Sequence, residues 1–256
     1  MNRRLLIHLL IFAALIMIPV ATLFTGCGGQ KLEVDPRTFA RDWMPVETDH
    51  FVFYVPPDSP RASRSLMAFG SVCEDVYEQV VRYLEIEVPE PIHIYQFTTN
   101  QDCEETIGHP ANFVEAYNIY TRIGAEIGGA VALAMCHAID PEAKSFPLIK
   151  DGLRTVFDER QVNVHREAST LLTQSGRWFT LPELIAGHTG GDEKVYRYAT
   201  ASFVAFLIQR HGHERLKMLW RSVLELGPSL ERIYGVPLDQ LESEWMSHMA
   251  QEAKRT

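Results

Sequence analysis

Several signatures of common function classes are missing from this 256-residue chain. It has no run of basic residues, and 33 Asp and Glu against 24 Lys and Arg give a formal net charge of -9. An acidic chain without a basic patch is a poor partner for nucleic acid or for an anionic membrane surface. It also has no internal repeat and no low-complexity stretch. These absences favour an ordinary globular protein that does not bind nucleic acid.

Motifs for phosphate binding, for hydrolase triads and for redox pairs are also missing. The glycine-rich stretch 187–192 contains no Gly-Lys-Ser/Thr, and no Gly-x-Ser-x-Gly elbow occurs anywhere. The four cysteines form no Cys-x-x-Cys pair, which argues against a metal knuckle or a redox pair. Cys73 and Cys136 fall on apolar helix positions, where cysteine is usually a small core residue. One disulfide among Cys73, Cys103 and Cys136 is the alternative.

The N-terminus predicts export and membrane attachment. Residues 1–4 are a short basic segment with Arg3 and Arg4, residues 5–24 are almost entirely apolar, and LFTGC ends at Cys27. This stretch resembles a bacterial lipobox, which implies a signal peptide over 1–27, a lipid such as palmitate on Cys27 and a mature chain that begins there. Twenty residues at about 1.5 Å each would also cross a ~30 Å hydrocarbon core, so an uncleaved anchor is the alternative. Either way, the rest of the chain lies outside the cytoplasm. For the lipoprotein we expect a lipid anchor at the cell membrane or outer membrane, with the chain in the periplasm where there are two membranes.

The remaining chain predicts a tether and one α+β domain. Residues 28–45 are short, polar and proline-containing, whereas 46–256 is long enough to bury a full core. Alternating apolar residues predict strands at 50–55, 92–97 and 113–120, and an amphipathic pattern predicts a helix over 63–84. Residues 46–123 therefore form a small mixed α/β sheet layer. Residues 124–256 are mostly helical, with predicted helices at 165–173, 179–185, 196–210 and 213–224, and a last helix separated from them by Gly227-Pro228.

A central helix organises this helical half. Residues 128–137 carry no charge and no proline and are small and apolar except for the terminal His137, as expected for a helix surrounded by protein. Asp140-Pro141 ends it, because the residue before a proline is pushed out of the helical region. A second helix begins near Pro147, and its first turns contain Asp151-Gly152.

Three features together resemble the gluzincin-type, thermolysin-like zinc peptidases of the peptidase MA clan. They are the buried helix that ends in histidine, the proline-led helix with its acidic-Gly pair, and the tyrosine-rich segment YRYATASFV at 196–204. The tail IYGVPLDQLESEW is also similar to that family. The resemblance implies an α+β gluzincin-like fold. It also implies a zinc site in which two histidines of His-Glu-x-x-His and a glutamate of the second helix bind the metal.

This sequence departs from the family at most positions of that site. The five motif positions from Leu133 to His137 read LAMCH, so only the last histidine is present. Leu133 cannot bind a metal, Ala134 cannot accept a proton, and Asp151 replaces the glutamate ligand. A general base alone is worth roughly 10²- to 10⁴-fold, and a catalytic zinc usually has three protein ligands. We therefore expect no catalytic residue and no cofactor, and zinc is the alternative to having no cofactor. His137 and Asp151 are the residual candidates for metal binding.

Alternative roles stay open for the candidate residues. His137 is either a hydrogen-bonded core residue or a residue facing the former metal pocket. Asp151 pairs with His137, interacts with its own helix N-terminus or lies in water. His109 and His165, predicted at a loop and a helix edge, would provide a third ligand only if the fold brought them to His137.

A further set of polar residues is interpreted structurally. Tyr196 and Tyr198 either line the residual cleft or pack at the edge of the core, and the second role is favoured. His211-Gly-His213 would chelate a metal in isolation, but it lies at a predicted helix-helix turn, where a solvated surface role is favoured.

Three hypotheses follow for the function. The first is a membrane-anchored lipoprotein of the cell envelope whose metallopeptidase-like domain is a non-catalytic binding or scaffolding module for a peptide, a glycan or an envelope protein. The second is a zinc-dependent peptidase with a non-standard site that uses His137 and Asp151. The third is a purely structural envelope component. A fold resemblance alone does not decide among them.

Overall fold

The computed structural model of this protein describes residues 35–57, 62–143 and 146–255. The chain divides into two units between Asp35 and Pro36, and the fold below is that of the second unit. The apolar run, the lipobox with Cys27 and the first part of the predicted tether lie outside the described residues. Within the described ranges, no helix combines the length and the apolar character needed to cross a bilayer.

The second unit is α+β, with its strands near the N-terminal side and helices after them. The elements are α1 Pro36–Phe39, β1 Met44–Glu47, β2 Phe51–Val55, α2 Ala62–Leu84, β3 Ile92–Phe97, α3 Asn100–Ile107, β4 Phe113–Glu115, β5 Asn118–Arg122, α4 Gly128–Cys136, α5 Pro147–Asp158, α6 Val164–Ser175, α7 Leu181–Ile185, α8 Glu193–His211, α9 His213–Trp220, α10 Leu226–Tyr234 and α11 Leu238–Glu252.

The five strands of the described residues form one mixed sheet in the order β1-β2-β3-β5-β4. The central pairs β2-β3 and β3-β5 are parallel, and the outer pairs are antiparallel. Parallel neighbours need a crossover connection, which α2 provides between β2 and β3. The α+β class with a small sheet followed by a helical half is therefore confirmed.

The inner face of the sheet packs on α2. Phe51, Phe53 and Val55 are buried, while the intervening Val52 and Tyr54 are partly exposed. This period of two is the pattern that predicted a strand at 50–55. The strand at 92–97 and the long helix over 63–84 are confirmed as well, the helix starting one residue earlier than predicted.

The outer face of the sheet carries a row of stacked aromatic rings. Tyr54, Tyr95, Tyr120 and Phe113 are cross-strand partners on four adjacent strands. Their ring centroids are 4.7, 5.3 and 5.9 Å apart in that order. Aromatic cross-strand pairs each contribute up to about 1 kcal/mol, so the row fixes the register of the sheet.

Folded structure begins before the predicted domain boundary at residue 46. Phe39 of α1 packs on Tyr95 with ring centroids 5.6 Å apart, and Trp43 packs edge-on against Phe97 at 5.2 Å. Strand β1 then pairs with β2. Residues 36–45, assigned to the tether from their polar and proline-containing composition, instead cover the aromatic face of the sheet.

The single strand predicted over 113–120 is wrong, because these residues form a hairpin. Strands β4 and β5 pair antiparallel around Ala116 and Tyr117, and Ala116 has a φ of 51°. Tight hairpin turns need residues with positive φ and therefore usually contain Asn-Gly or Asp-Gly in the sequence. Ala-Tyr is not such a turn sequence, so the alternation of apolar residues continued across the turn and predicted one strand.

Two helix boundaries also differ from the prediction. Gly227-Pro228 does not separate helices but lies in the first turn of α10, where a missing N–H costs nothing. Helix α9 ends at Trp220 rather than at residue 224. The last helix is confirmed, and Leu241, Trp245 and Met249 on its inner face are at most 1% exposed.

Helix α5 packs unusually closely between α4 and α8. A Cβ on Gly129 of α4 would lie 2.6 Å from Arg154 Cα, and a Cβ on Gly152 of α5 would lie 2.4 Å from Val204 Cγ2 and 2.8 Å from the Thr200 carbonyl oxygen. Such distances leave no room for any side chain. Both glycines are therefore required by the helix spacing.

We predict that Gly152→Ala destabilises the domain by about 2–4 kcal/mol, because the methyl group meets the α8 backbone, which cannot move aside. Urea unfolding measures the effect. Gly227→Ala is the matched control, since its Cβ would meet only Leu238 Cδ1 at an ordinary 3.5 Å. The control stays within about 1 kcal/mol of the parent protein. Equal stability of the two variants would contradict the close packing.

Candidate functional site

A pocket of about 510 Å³ opens where α4 and α5 meet the loop before β4, and we call it the His137 pocket. Its lining comprises residues 109–114 and 116, Leu133, His137, Asp140, Ala143, Lys150, Arg154 and Trp220. The volume lies in the range of small-molecule sites.

Helix α4 contributes Leu133 and His137, which lie one turn apart on the same face. His137 is the C-cap of the helix, half-buried, with its ring edge-on against Tyr117 at 5.0 Å between centroids. Of the two roles predicted for His137, the structure favours the pocket-facing one. The surrounding positions Ala134, Met135 and Cys136 are completely buried.

Helix α5 contributes two cations, Lys150 and Arg154, also one turn apart. The Arg154 guanidinium donates from Nη2 to the Asn112 carbonyl oxygen at 2.9 Å, which joins α5 to the loop before β4. Lys150 is exposed at the same side of the helix. Asp140 is the acidic side chain in the lining, and its Oδ1 accepts from the Glu142 N–H at 3.0 Å.

Asp151 is not part of the pocket lining. The Asp151 side chain is exposed. Neighbouring protein atoms shield its carboxyl partly from water and so raise its pKa, whereas the charges of Arg154 and Lys150 oppose that rise. Burial raises the pKa of Tyr196 on α8, and the Asp151 charge raises it further. Within the described residues, no hydrogen bond or ion pair joins Asp151 to His137.

His109 lies in the pocket with His137, whereas His165 does not. The His109 ring stacks on Phe113 with centroids 4.1 Å apart, at the end of the aromatic row of the sheet. In the part of the chain that the structure describes, no three His, Cys, Asp or Glu side chains are grouped closely enough to hold a metal ion. The described residues therefore do not form the three-ligand set that a catalytic zinc requires.

His165 lies at the edge of a helix as predicted, in the first turn of α6, but it is only 3% exposed. Its Nδ1 lies 3.0 Å from Ser202 Oγ, and its Nε2 lies 3.1 Å from Gln209 Oε1. Trp245 Nε1 donates to Ser202 at 3.0 Å, and His248 Nε2 lies 3.1 Å from Gln209 Oε1.

This network is complete when His165 is neutral. The Nε2–H donates to Gln209, and Nδ1 accepts from the Ser202 hydroxyl. Burial lowers the pKa of His165 to about 4. Ser202 is completely buried, so a substrate has no access to it, and the cluster joins α6, α8 and α11.

The remaining candidate residues make packing, hydrogen-bond or ion-pair contacts within the domain. Tyr196 is buried and donates its hydroxyl to the Leu184 carbonyl oxygen at 3.2 Å, as expected for the core-edge role. His211 is not a solvated surface residue, since its ring packs edge-on against Phe206 and Tyr234. His213 lies near Glu85, with Nε2 3.2 Å from Oε2.

The cysteines of the described residues are core residues. Cys73, Cys103 and Cys136 are buried and free, so the alternative of a disulfide among them is wrong. Burial raises the pKa of Cys136 to about 12 and that of Cys103 to about 11. Thiols held in the protonated form are poor nucleophiles and poor metal ligands.

Lys150, Arg154 and Trp220 of the pocket were not among the residues predicted from the sequence. The spacing of Lys150 and Arg154 places both on one face of a helix, but an exposed pair of cations at this spacing is common on solvated helices. The structure shows that this pair lines a pocket, because Arg154 contacts the loop before β4. Comparison with protein-family models, with curated proteins and with solved structures finds no match for this chain.

We predict that the domain loses about 3 kcal/mol of stability between pH 6.5 and pH 4 through His165. Its pKa is lowered in the folded state, so the unfolded chain binds the proton more tightly in this window, and acid favours unfolding. Urea unfolding at pH 7.0, 5.5 and 4.5 measures the slope. His165→Gln flattens it, whereas the exposed His188→Gln does not. An unchanged slope in His165→Gln would contradict this assignment.

Proposed function

We propose that this protein is a membrane-anchored, extracytoplasmic lipoprotein with a gluzincin-like domain that binds a ligand in the His137 pocket and does not hydrolyse it. The observation that carries the proposal is the position of that pocket. It lies against Leu133 and His137, the two motif positions at which the resembled family has its zinc-binding histidines.

The chemistry of the lining supports binding. Leu133 is an apolar contact where a metal ligand would be needed, and Ala134 is completely buried where a general base would be needed. Lys150 and Arg154 bring positive charge to the same space. Cations next to a metal site oppose binding of a second cation, whereas they attract anionic ligands.

A zinc-dependent peptidase with a non-standard site is the second candidate, because His109 and His137 line one pocket. Two neutral imidazoles are good zinc ligands, and a third ligand would have to come from Asp140 in the lining or from Asp151 beside it. The general base of such an enzyme has no counterpart at Ala134.

Metal content separates the two candidates. The soluble domain beginning at Gly28 is purified without chelator, exposed to zinc and assayed for bound metal beside His137→Ala and His109→Ala. We expect less than about 0.1 zinc per chain in all three proteins, because tightly bound zinc has three or four protein ligands and no such set is grouped in the described residues. Near-stoichiometric zinc that disappears in both variants would refute the binding module.

Membrane attachment is tested on the full chain through Cys27. We expect Cys27→Ser to abolish incorporation of a labelled fatty acid and to leave the signal segment uncleaved, seen as a larger band on a gel. Gly28→Ala is the control and is processed normally. A parent protein that is already full-length and unlabelled would favour the uncleaved anchor over the lipoprotein.

A further inference from the structure

The His137 pocket brings two cations together in an acidic protein. Lys150 and Arg154 are the cations of its lining and Asp140 is its acid, while the chain as a whole has a net charge of -9. A local excess of positive charge in a concave site concentrates anions there.

Arg154 is held in place before any ligand binds. Its Cα and Cγ lie against Gly129, where a Cβ would be 2.6 and 2.4 Å away. Its Nη2 donates to the Asn112 carbonyl oxygen, which uses one of the five N–H donors of a guanidinium. A pre-positioned guanidinium loses little entropy when it binds a carboxylate, and its planar fork matches the two oxygens.

The pocket also has an apolar part. Phe113, whose ring stacks on His109, lines it together with Leu133 of α4 and Trp220. The neighbouring Arg221 donates from Nε to the Ile139 carbonyl oxygen at 3.1 Å, which joins the end of α9 to the segment just beyond α4. A ligand that fills this space therefore needs an apolar body as well as a charged group.

We infer that the pocket binds a small ligand with a terminal carboxylate and an apolar body, and that the natural form is the C-terminal end of a peptide. Lys150 and Arg154 bind the carboxylate, and Phe113, Leu133 and Trp220 contact the apolar side chain. A volume of about 510 Å³ suits one or two residues. This inference rests on the proposed function and adds the class of ligand to it.

Three acidic side chains act on the charges of the pocket and limit the charge of the ligand. One of them, Asp158 at the end of α5, interacts electrostatically with Arg154. Asp140 in the lining repels a second negative group, which disfavours polyanions. Asp151, outside the lining, interacts electrostatically with both Lys150 and Arg154 and so competes with the ligand for them. Removal of the Asp151 charge therefore strengthens carboxylate binding. If Asp151 were instead a ligand of a metal ion that binds the carboxylate, its removal would not strengthen that binding.

The test is calorimetric titration of the soluble domain at pH 7 in the presence of chelator, so that zinc-dependent binding cannot contribute. The probes are N-acetyl-leucyl-phenylalanine, its carboxamide, hexanoate, hexanamide and inorganic phosphate. We expect each acid to bind at least about tenfold more tightly than its amide, because only the acid forms charge-assisted hydrogen bonds. We also expect the peptide acid to bind more tightly than hexanoate, and the reverse order would overturn the peptide C-terminus in favour of an acyl source of the carboxylate.

Variants locate the binding. Lys150→Ala, an exposed change that leaves the fold intact, weakens the acid about fivefold or more and leaves the amide unchanged. Lys194→Ala, on an exposed lysine of α8 outside the pocket, is the control and has no effect. Asp151→Asn strengthens acid binding about two- to fivefold.

Three further outcomes would overturn the inference: no binding of either acid, equal binding of acid and amide, or phosphate binding as tightly as the peptide acid. These results leave the binding module in place with another ligand class. Failure of the proposed function itself has a different signature, which is peptide binding that appears only when zinc replaces the chelator and is lost in His137→Ala.

Discussion

The close packing of α5 between α4 and α8 is the constraint on which the rest of the structure depends. Gly129 allows α4 to lie directly on the backbone of Arg154, and Gly152 allows α5 to lie directly on α8. The same contact that sets the helix spacing also fixes the stem of Arg154, which then reaches the carbonyl of Asn112. The pocket between α4, α5 and the loop before β4 is therefore a consequence of helix packing, and Arg154 is held in place in its lining.

The start of α4 and the end of α5 are joined by one half-buried carboxylate. Helix α4 begins with two glycines and has no side-chain cap of its own, so its first N–H groups need another partner. Asp158, the last residue of α5, accepts the Gly129 N–H at 2.7 Å. Burial raises the pKa of Asp158, and the Gly129 hydrogen bond opposes that rise. One side chain thus provides the cap of α4 and holds it in register with α5, which keeps His137 and Arg154 on the same pocket.

Much of this fold follows from local patterns in the sequence. The alternation of Phe51, Phe53 and Val55 and the uncharged run from Gly128 predict their elements because each pattern reports which neighbours surround it. The hairpin at Ala116 and the covering role of Phe39 could not be predicted in this way. The first depends on a strained backbone at an ordinary residue, and the second on a contact between segments far apart in sequence. The burial of His165 could not be predicted for the same reason, since its partners Ser202 and Gln209 come from another helix.

The candidate site was predictable only in part, because the sequence singles out His137 but gives no signal that Lys150 and Arg154 share its pocket. In the function that we propose, these two cations make the pocket suited to an anion and not to a metal ion. A crystal of the soluble domain soaked with both zinc and N-acetyl-leucyl-phenylalanine, measured at the zinc absorption edge, tests this account most directly. The account predicts density for the peptide carboxylate at Lys150 and Arg154 and no anomalous peak at His137. A tetrahedral zinc bound by His137 would contradict it.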